Sequence, residues 1–246
     1  MSGGSFERYK LVSFPGKCTT EIFQSQDARV KAFVYFGRMF TLVAIILGAY
    51  LLGSIPSSVW LGRALKGIDL REHGSGNAGA TNAFRVLGKP IGSAVLVMDM
   101  LKGFLAVNLS LLQTEIEPGS ERWMMLRIGL GLVAVCGHIF PVFASFKGGK
   151  GVAAITGAAL AIHPWAALAA MGVYLLVFLV FRISALGSLI AVLSYPAWVF
   201  WVFPTESLTI RIFSLVALAL VLFTHRSNIR RLLRGEEKGL FRRTGS

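Results

Sequence analysis

Three groups of polar residues stand between long apolar runs, and all three carry residue types suited to binding phosphate. The first is Gly74–Lys89, GSGNAGATNAFRVLGK, with four glycines, small polar side chains at Ser75, Asn77, Thr81 and Asn82, the cations Arg85 and Lys89, and no acid. Glycine lets backbone N–H groups turn toward a ligand, and successive N–H groups in such turns form anion-binding nests. Its other reading is a connecting loop in which Gly and Asn serve turns. The second is Lys147-Gly148-Gly149-Lys150-Gly151. Here Gly148, Gly149 and Gly151 permit close backbone approach, Lys150 adds a point charge, and a helix opening at Gly151 would offer free N–H groups and a partial positive charge. It is not a nucleotide P-loop, because Ala144 stands where the first Gly is required and Gly151 where Ser or Thr is required. Its other reading is a basic turn between two helices. The third is His225-Arg226-Ser227-Asn228. If a helix continues through it, His225 and Asn228 share a face, and the histidine can donate to a phosphate or act as a base near neutral pH. Alone it would read as an interfacial histidine beside a basic tail.

The elements that must position these groups are apolar helices. Of the 246 residues, 54% are hydrophobic and only 15% charged, against about 25% charged in soluble domains. The balance of 25 Lys and Arg against 12 Asp and Glu gives a formal net charge of +13. In a membrane protein such an excess marks cytoplasmic loops, contact with anionic headgroups or an anionic substrate, and no nucleic-acid partner is expected. Cys18 and Cys136 fit no metal spacing, and neither a metal site nor a cofactor is expected.

Residues 1–38 are mixed and polar and form a separate extension, disordered, amphipathic or artefactual, in which Ala28–Phe36 could make a short helix on the membrane surface. Residues 39–246 form the membrane domain, with a basic tail from His225. Apolar runs of membrane-spanning length, interrupted only by Asp99 and Lys102 in the second and Arg211 in the last, predict crossings over Phe40–Gly62, Pro90–Leu112, Ile128–Phe146, Ile183–Thr205 and Ser207–Thr224. The uncharged run Gly151–Phe181 is too long for one crossing, and His163-Pro164 inside it kinks or divides it. Dividing it brings all three basic regions to one face, as the positive-inside tendency favours. The expected fold is therefore an all-α bundle of about seven transmembrane helices, some short or broken. The six basic residues of the first 38, on the far side in this scheme, run against that tendency.

Asp99 and Lys102 share one helix face within the second crossing. Ionisable groups at that depth are costly unless paired, and they read as a structural ion pair ahead of a catalytic one. His138 reads as an interior histidine, and His163 lies at the turn opposite the basic face.

Together these strings resemble the bacterial integral-membrane acyl-phosphate–glycerol-3-phosphate acyltransferases. The matching residues are LLGSIP at Leu51–Pro56, LREHGSGNAGATNAFRVLGK at Leu70–Lys89, DMLKG at Asp99–Gly103, GHIFPVFASFKGGKGVA at Gly137–Ala153 and HRSNIRRLLRGEE at His225–Glu237. The resemblance implies transfer of a fatty acyl group from acyl phosphate to the 1-hydroxyl of sn-glycerol 3-phosphate. It gives lysophosphatidic acid and phosphate in the first step of bacterial phospholipid synthesis. It implies a bacterial inner-membrane enzyme with an external N-terminus and a cytoplasmic active site. Membrane lipids are the expected surroundings, and a monomer is one state compatible with the sequence, which leaves the oligomeric state open. Ser75, Arg85, Lys150, His225 and Asn228 become the expected catalytic residues. Gly74, Asn77, Thr81, Asn82, Lys147, Gly148, Gly149, Gly151 and Ser188 become the expected substrate-binding ones. Two points depart from the family pattern. Ser227 stands where Glu often precedes the Asn, and the serine usual after Arg182 could be Ser184 or Ser188.

An acyl phosphate arrives activated as a mixed anhydride, so no acyl-enzyme is needed. What the reaction demands is several cations for two phosphates and alignment of the hydroxyl on the carbonyl carbon. The proton acceptor is either His225 or the departing phosphate, and the second is favoured because no carboxylate is evidently placed to orient His225. A small-anion transporter is the competing reading, a basic lipid-binding scaffold a third, and a thioester-dependent acyltransferase a fourth.

Overall fold

The structure, a computed structural model, describes the backbone of residues 18–240 and side chains from residue 30 onward, residue 34 excepted. The chain falls into two units, one ending at Thr41 and the other beginning at Leu42. In the first, the hydroxyl of Thr41 donates to the carbonyl of Gly37 at 3.0 Å, and Phe33, Phe36, Met39 and Phe40 are exposed apolar side chains. The extension before residue 18 lies outside the described residues. The surface helix expected over Ala28–Phe36 is part of a longer helix, α1 (Cys18–Gly53).

The second unit is built from helices, with no strand among the described residues. After α1 come α2 (Ser57–Lys66), α3 (Ala80–Val86), α4 (Lys89–Asn108) and α5 (Glu121–Ile139). Then follow α6 (Val152–Ile162), α7 (Pro164–Phe181), α8 (Ser184–Ala197), α9 (Leu208–Thr224) and α10 (Arg226–Leu233). Five segments are long and apolar enough to cross a membrane, or six if α9 and α10, bent by 65°, count as one. The seventh expected crossing is α6. Its 11 residues give ~16 Å, about half of a ~30 Å hydrocarbon core.

The division of the long apolar run falls at His163, with Pro164 opening α7, as its missing N–H allows. The crossing expected over Phe40–Gly62 is corrected: α1 stops at Gly53 and α2 restarts at Ser57. Pro56, which cannot donate within a helix, sits at that break. The third crossing begins earlier than expected, at Glu121, where the hydroxyl of Ser120 caps α5 by accepting from the N–H of Trp123 at 3.2 Å.

Small residues set the helix packing. A Cβ on Gly157 of α6 would lie 1.8 Å from the carbonyl O of Met100, and one on Gly103 of α4 2.0 Å from that of Ala154. The α4 and α6 backbones therefore touch at two levels, the close approach that small residues permit between membrane helices. The main apolar core joins α5, α6, α8 and α9 through Val135, Ala158, Tyr195, Phe213 and Val221. At the end of α6 away from the polar loops, Arg127 donates to the carbonyl of Ala161 at 2.6 Å, satisfying an orphan helix-end acceptor.

Candidate active site

The polar end of the site begins with Asn82, an almost fully buried residue of α3. Its Oδ1 accepts from the N–H of Ser75 at 2.9 Å, and its Nδ2 donates to the carbonyls of Leu70 at 3.2 Å and His73 at 2.9 Å. One side chain thereby folds the turn before it. Gly74 is held at φ +64°, where a Cβ would lie 2.3 Å from Asn82 Oδ1, so both its conformation and the lack of room require glycine. Asn82 was expected to bind substrate. It lines the cavity, but its amide is taken up by the loop, and its role is that of a scaffold.

A second anchor is Asp69. It accepts from the backbone N–H of Arg71 at 3.0 Å, from the Arg71 guanidinium at 3.0 and 2.7 Å, and from Arg63 at 2.8 Å. Those bonds, Arg71's first, hold its carboxyl well below the usual range against the opposing effect of burial. Arg71 also donates to the carbonyl of Ala144 at 2.8 Å. The glycine-rich stretch is thus tied to the loop between α5 and α6.

That loop differs from a simple glycine cradle. The N–H groups of Gly148 and Gly149 donate to the carbonyls of Ile139 and His138 at 3.2 and 3.1 Å, satisfying orphan acceptors at the end of α5. A Cβ on Gly148 would lie 2.0 Å from the His138 carbonyl, and one on Gly149 2.2 Å from the His138 ring. These two glycines serve close packing, a different use from the phosphate cradle expected of them, and neither lines the cavity. Lys147 is exposed and also off the lining. Lys150 and Gly151 do line it, Gly151 as the residue before α6, at φ +83°.

Lys150 reaches the third polar group directly, its Nζ donating to Oδ1 of Asn228. Asn228 and His225 are both buried, at the sharp bend between α9 and α10. They come together through this bend and not along the continuous helix face expected. Nδ1 of His225 lies 3.0 Å from the carbonyl O of Val221. That oxygen only accepts, so Nδ1 carries the proton and the neutral ring keeps its lone pair at Nε2.

Glu237 completes this corner and was not anticipated. It accepts from Asn228 Nδ2 at 2.8 Å and from Arg231 Nε at 2.6 Å. The tail returns further along the chain, where the N–H of Leu240 donates to the carbonyl of Arg182 at 2.9 Å. Burial lowers the Lys150 ammonium to about 8, with Glu237 pulling it up and Arg231 and Arg85 pushing it down. Among the described residues, the hydrogen-bond partners of Arg85, half-buried in the last turn of α3, are the carbonyls of Lys238 and Gly239, each at a long 3.4 Å. Its guanidinium is thus lightly held beside Lys150.

Of the two serines after Arg182, Ser184 is the one joined to the glycine-rich stretch. Its hydroxyl lies 3.0 Å from that of Thr81 and 3.1 Å from that of Tyr174. Ser188 lines the cavity but spends its hydroxyl on the carbonyl of Ser184 at 3.0 Å. Both serines line the cavity, and Ser184 is the one in contact with Thr81 at the polar end. Gly74, Ser75, Asn77, Thr81 and Arg85 all face the same cavity.

Beside it lies a buried charge cluster. Asp99 Oδ1 receives Lys102 Nζ at 2.9 Å and Ser57 Oγ at 3.0 Å, and Lys102 also donates to the carbonyl of Ile55 at 2.9 Å. This is the ion pair expected from spacing, and it fastens α4 to the α1–α2 break. Asp99 and His138 each present a surface to the cavity.

A separate outer groove has a volume of about 390 Å³, and the cavity of the site just described about 880 Å³. The larger one has cations at its polar end, then runs between apolar helix faces. A membrane-embedded helical bundle with such a cavity is suited to joining a phosphate-bearing polar molecule to a long apolar one. The comparisons with known proteins agree. The family model described as glycerol-3-phosphate acyltransferase matches residues 43–235. A glycerol-3-phosphate acyltransferase of Chlorobium phaeobacteroides (strain BS1) is 41% identical, covering 81% of this chain and 96% of that protein. One from Myxococcus xanthus is 44% identical, covering 79% and 97%. The crystal structure of PlsY, an integral membrane glycerol 3-phosphate acyltransferase in its glycerol 3-phosphate form, superposes with a TM-score of 0.72 at 38% identity, covering 80% of this chain and 94% of that one. The chain belongs to the glycerol-3-phosphate acyltransferase family.

Proposed function

We propose that this enzyme transfers a fatty acyl group from acyl phosphate to the 1-hydroxyl of sn-glycerol 3-phosphate, releasing lysophosphatidic acid and inorganic phosphate. The observation that carries this reading is a single cavity with Arg85 and Lys150 at its polar end and an apolar body among α6, α7, α8 and α9. Two phosphates repel, and two cations at one end of the cavity offset that repulsion, Arg85 with a bidentate fork and Lys150 as a point charge. A family structure in a lysophosphatidic acid form, 37% identical with a TM-score of 0.70, supports the product.

In the reaction the hydroxyl oxygen attacks the acyl carbonyl carbon. The bond from that carbon to the bridging phosphate oxygen breaks, and phosphate leaves with the electron pair. The hydroxyl proton passes to the departing phosphate, whose second pKa near ~6 suits it to the task. Nε2 of His225 is the other acceptor. Its Nδ1–H is held by the carbonyl of Val221 and not by a carboxylate, which stabilises an imidazolium less and so favours the departing phosphate as proton acceptor, with Nε2 left to accept a hydrogen bond from a substrate hydroxyl. Ser75, Ser184 and Asn228 supply further hydrogen-bonding groups at the polar end.

The basic polar end lies on the cytoplasmic side of a bacterial inner membrane in this reading, with the N-terminus outside and the enzyme acting as a monomer. The test is phosphate release by protein purified in detergent, where no sealed membrane exists and a transporter gives no turnover. His225→Ala should raise KM for glycerol 3-phosphate with little change in the pH dependence of kcat. A lower kcat with a displaced pH profile would assign the base to His225 instead.

A further inference from the structure

The apolar body of the cavity has a defined deep end. Counting from the polar end, the furthest lining residue on each of α6, α7, α8 and α9 is Ala159, Ala167, Tyr195 and Ala217 respectively. Three of the four are small, and Tyr195 alone brings bulk at that level. Small residues also line the way down, at Ala170, Gly172 and Ala191.

Tyr195 is well placed to stop a chain. It is buried, its ring meets that of Phe213 edge-on at 6.3 Å, and Val199 and Ile210 belong to the same core. Its hydroxyl is buried with no hydrogen-bond partner among the described residues, so packing holds the ring.

The depth can be read along α8. Ser184, whose hydroxyl meets Thr81 at the polar end, and Tyr195 lie on the same helix, and their separation in sequence gives ~16 Å of rise. An extended chain advances ~1.2 Å per bond, as in an extended polypeptide, so about 14 bonds fit above Tyr195.

We propose that Tyr195 is the floor of the acyl channel and sets the longest acyl chain the enzyme accepts, near ~14–16 carbons by this geometry. The inference rests on reading the cavity as the acyl-phosphate site. It adds a residue that measures the chain, distant from every group that handles phosphate.

The experiment uses purified full-length enzyme and saturated acyl phosphates from dodecanoyl to eicosanoyl, with glycerol 3-phosphate in excess. For each variant kcat/KM is normalised to its own dodecanoyl value. Wild type should fall about tenfold once the chain overfills the channel, as overpacking a rigid core would predict. Tyr195→Ala should move that fall to longer chains, and Tyr195→Phe, which keeps the ring, should leave it in place. Ala217→Leu, adding bulk at the same depth, should move it to shorter chains and serves if Tyr195→Ala does not fold. A length profile that is the same in wild type and both size-changing variants would overturn the proposal. If wild type turns over no acyl phosphate of any length, the functional reading fails instead. The floor is then read from binding of unreactive alkyl phosphates, whose affinity should break at a length that Tyr195→Ala extends; a break at an unchanged length would refute it.

Discussion

Lys150 offers the sharpest quantitative test, because its ammonium is held at about 8. Burial lowers it from its ordinary 10.5, which means that the charged form is disfavoured before substrate arrives. The charge is present below that value and lost above it. Glycerol 3-phosphate is a dianion throughout the alkaline range, since its second ionisation lies near ~6, and guanidinium groups in general are not deprotonated in proteins. Any alkaline weakening of substrate binding therefore reports Lys150. With a midpoint of about 8, roughly nine-tenths of the free enzyme carries the charge one pH unit below and about one-tenth one unit above. KM for glycerol 3-phosphate should rise about tenfold across that interval, with kcat changed much less. The assay is phosphate release at saturating acyl phosphate over a range of glycerol 3-phosphate concentrations. Lys150→Arg, retaining charge at all these values, should give a flat profile at a KM raised by the poorer fit. A wild-type KM that stays level to one unit above the midpoint would refute the reasoning, because it would mean that Lys150 is either fully charged there or does not meet the phosphate.

The same corner yields further expectations. Glu237→Gln removes the carboxylate that pulls the Lys150 ammonium up, so the alkaline rise in KM should begin at lower pH, measured with the same assay. Asn82→Ala removes three hydrogen bonds, one buried and two part-buried, each worth ~0.5–1.5 kcal/mol net; kcat/KM should fall by about ten- to a thousandfold as the Ser75 turn opens, with helix content by circular dichroism intact. Asp99→Asn leaves Lys102 buried without its counter-charge, at a cost of ~3–5 kcal/mol, and the double change Asp99→Asn with Lys102→Met should recover most of that loss in a thermal unfolding assay in detergent.

The apolar helices were legible in the sequence because a membrane core demands long uncharged runs, and His163-Pro164 divides the longest of them where the structure does. The end of the first crossing was missed because an uncharged run continues to Gly62 while the helix does not. Pro56 was the available signal. The three polar groups were found from residue type alone, and their convergence followed from counting crossings. What could not be read was how each group is held. Gly148 and Gly149 look the same in sequence whether glycine admits a ligand or admits the end of α5. Asn82 looks like a ligand-binding amide until its three bonds to the loop are seen. Glu237 had no local signature, since its role depends on a tail that turns back through Leu240 onto Arg182. Ser184 and Ser188 lie one helical turn apart on the same face, and only the contact with Thr81 separates them.

The central claim is that the donor is an acyl phosphate whose own phosphate leaves the polar end beside Arg85 and Lys150. The measurement that tests it most directly offers the purified enzyme acyl phosphate, acyl-CoA and acyl carrier protein in parallel, each with glycerol 3-phosphate. The account predicts lysophosphatidic acid and inorganic phosphate in equal amounts from the first donor and no turnover from the thioesters. Turnover with a thioester and none with acyl phosphate would contradict it.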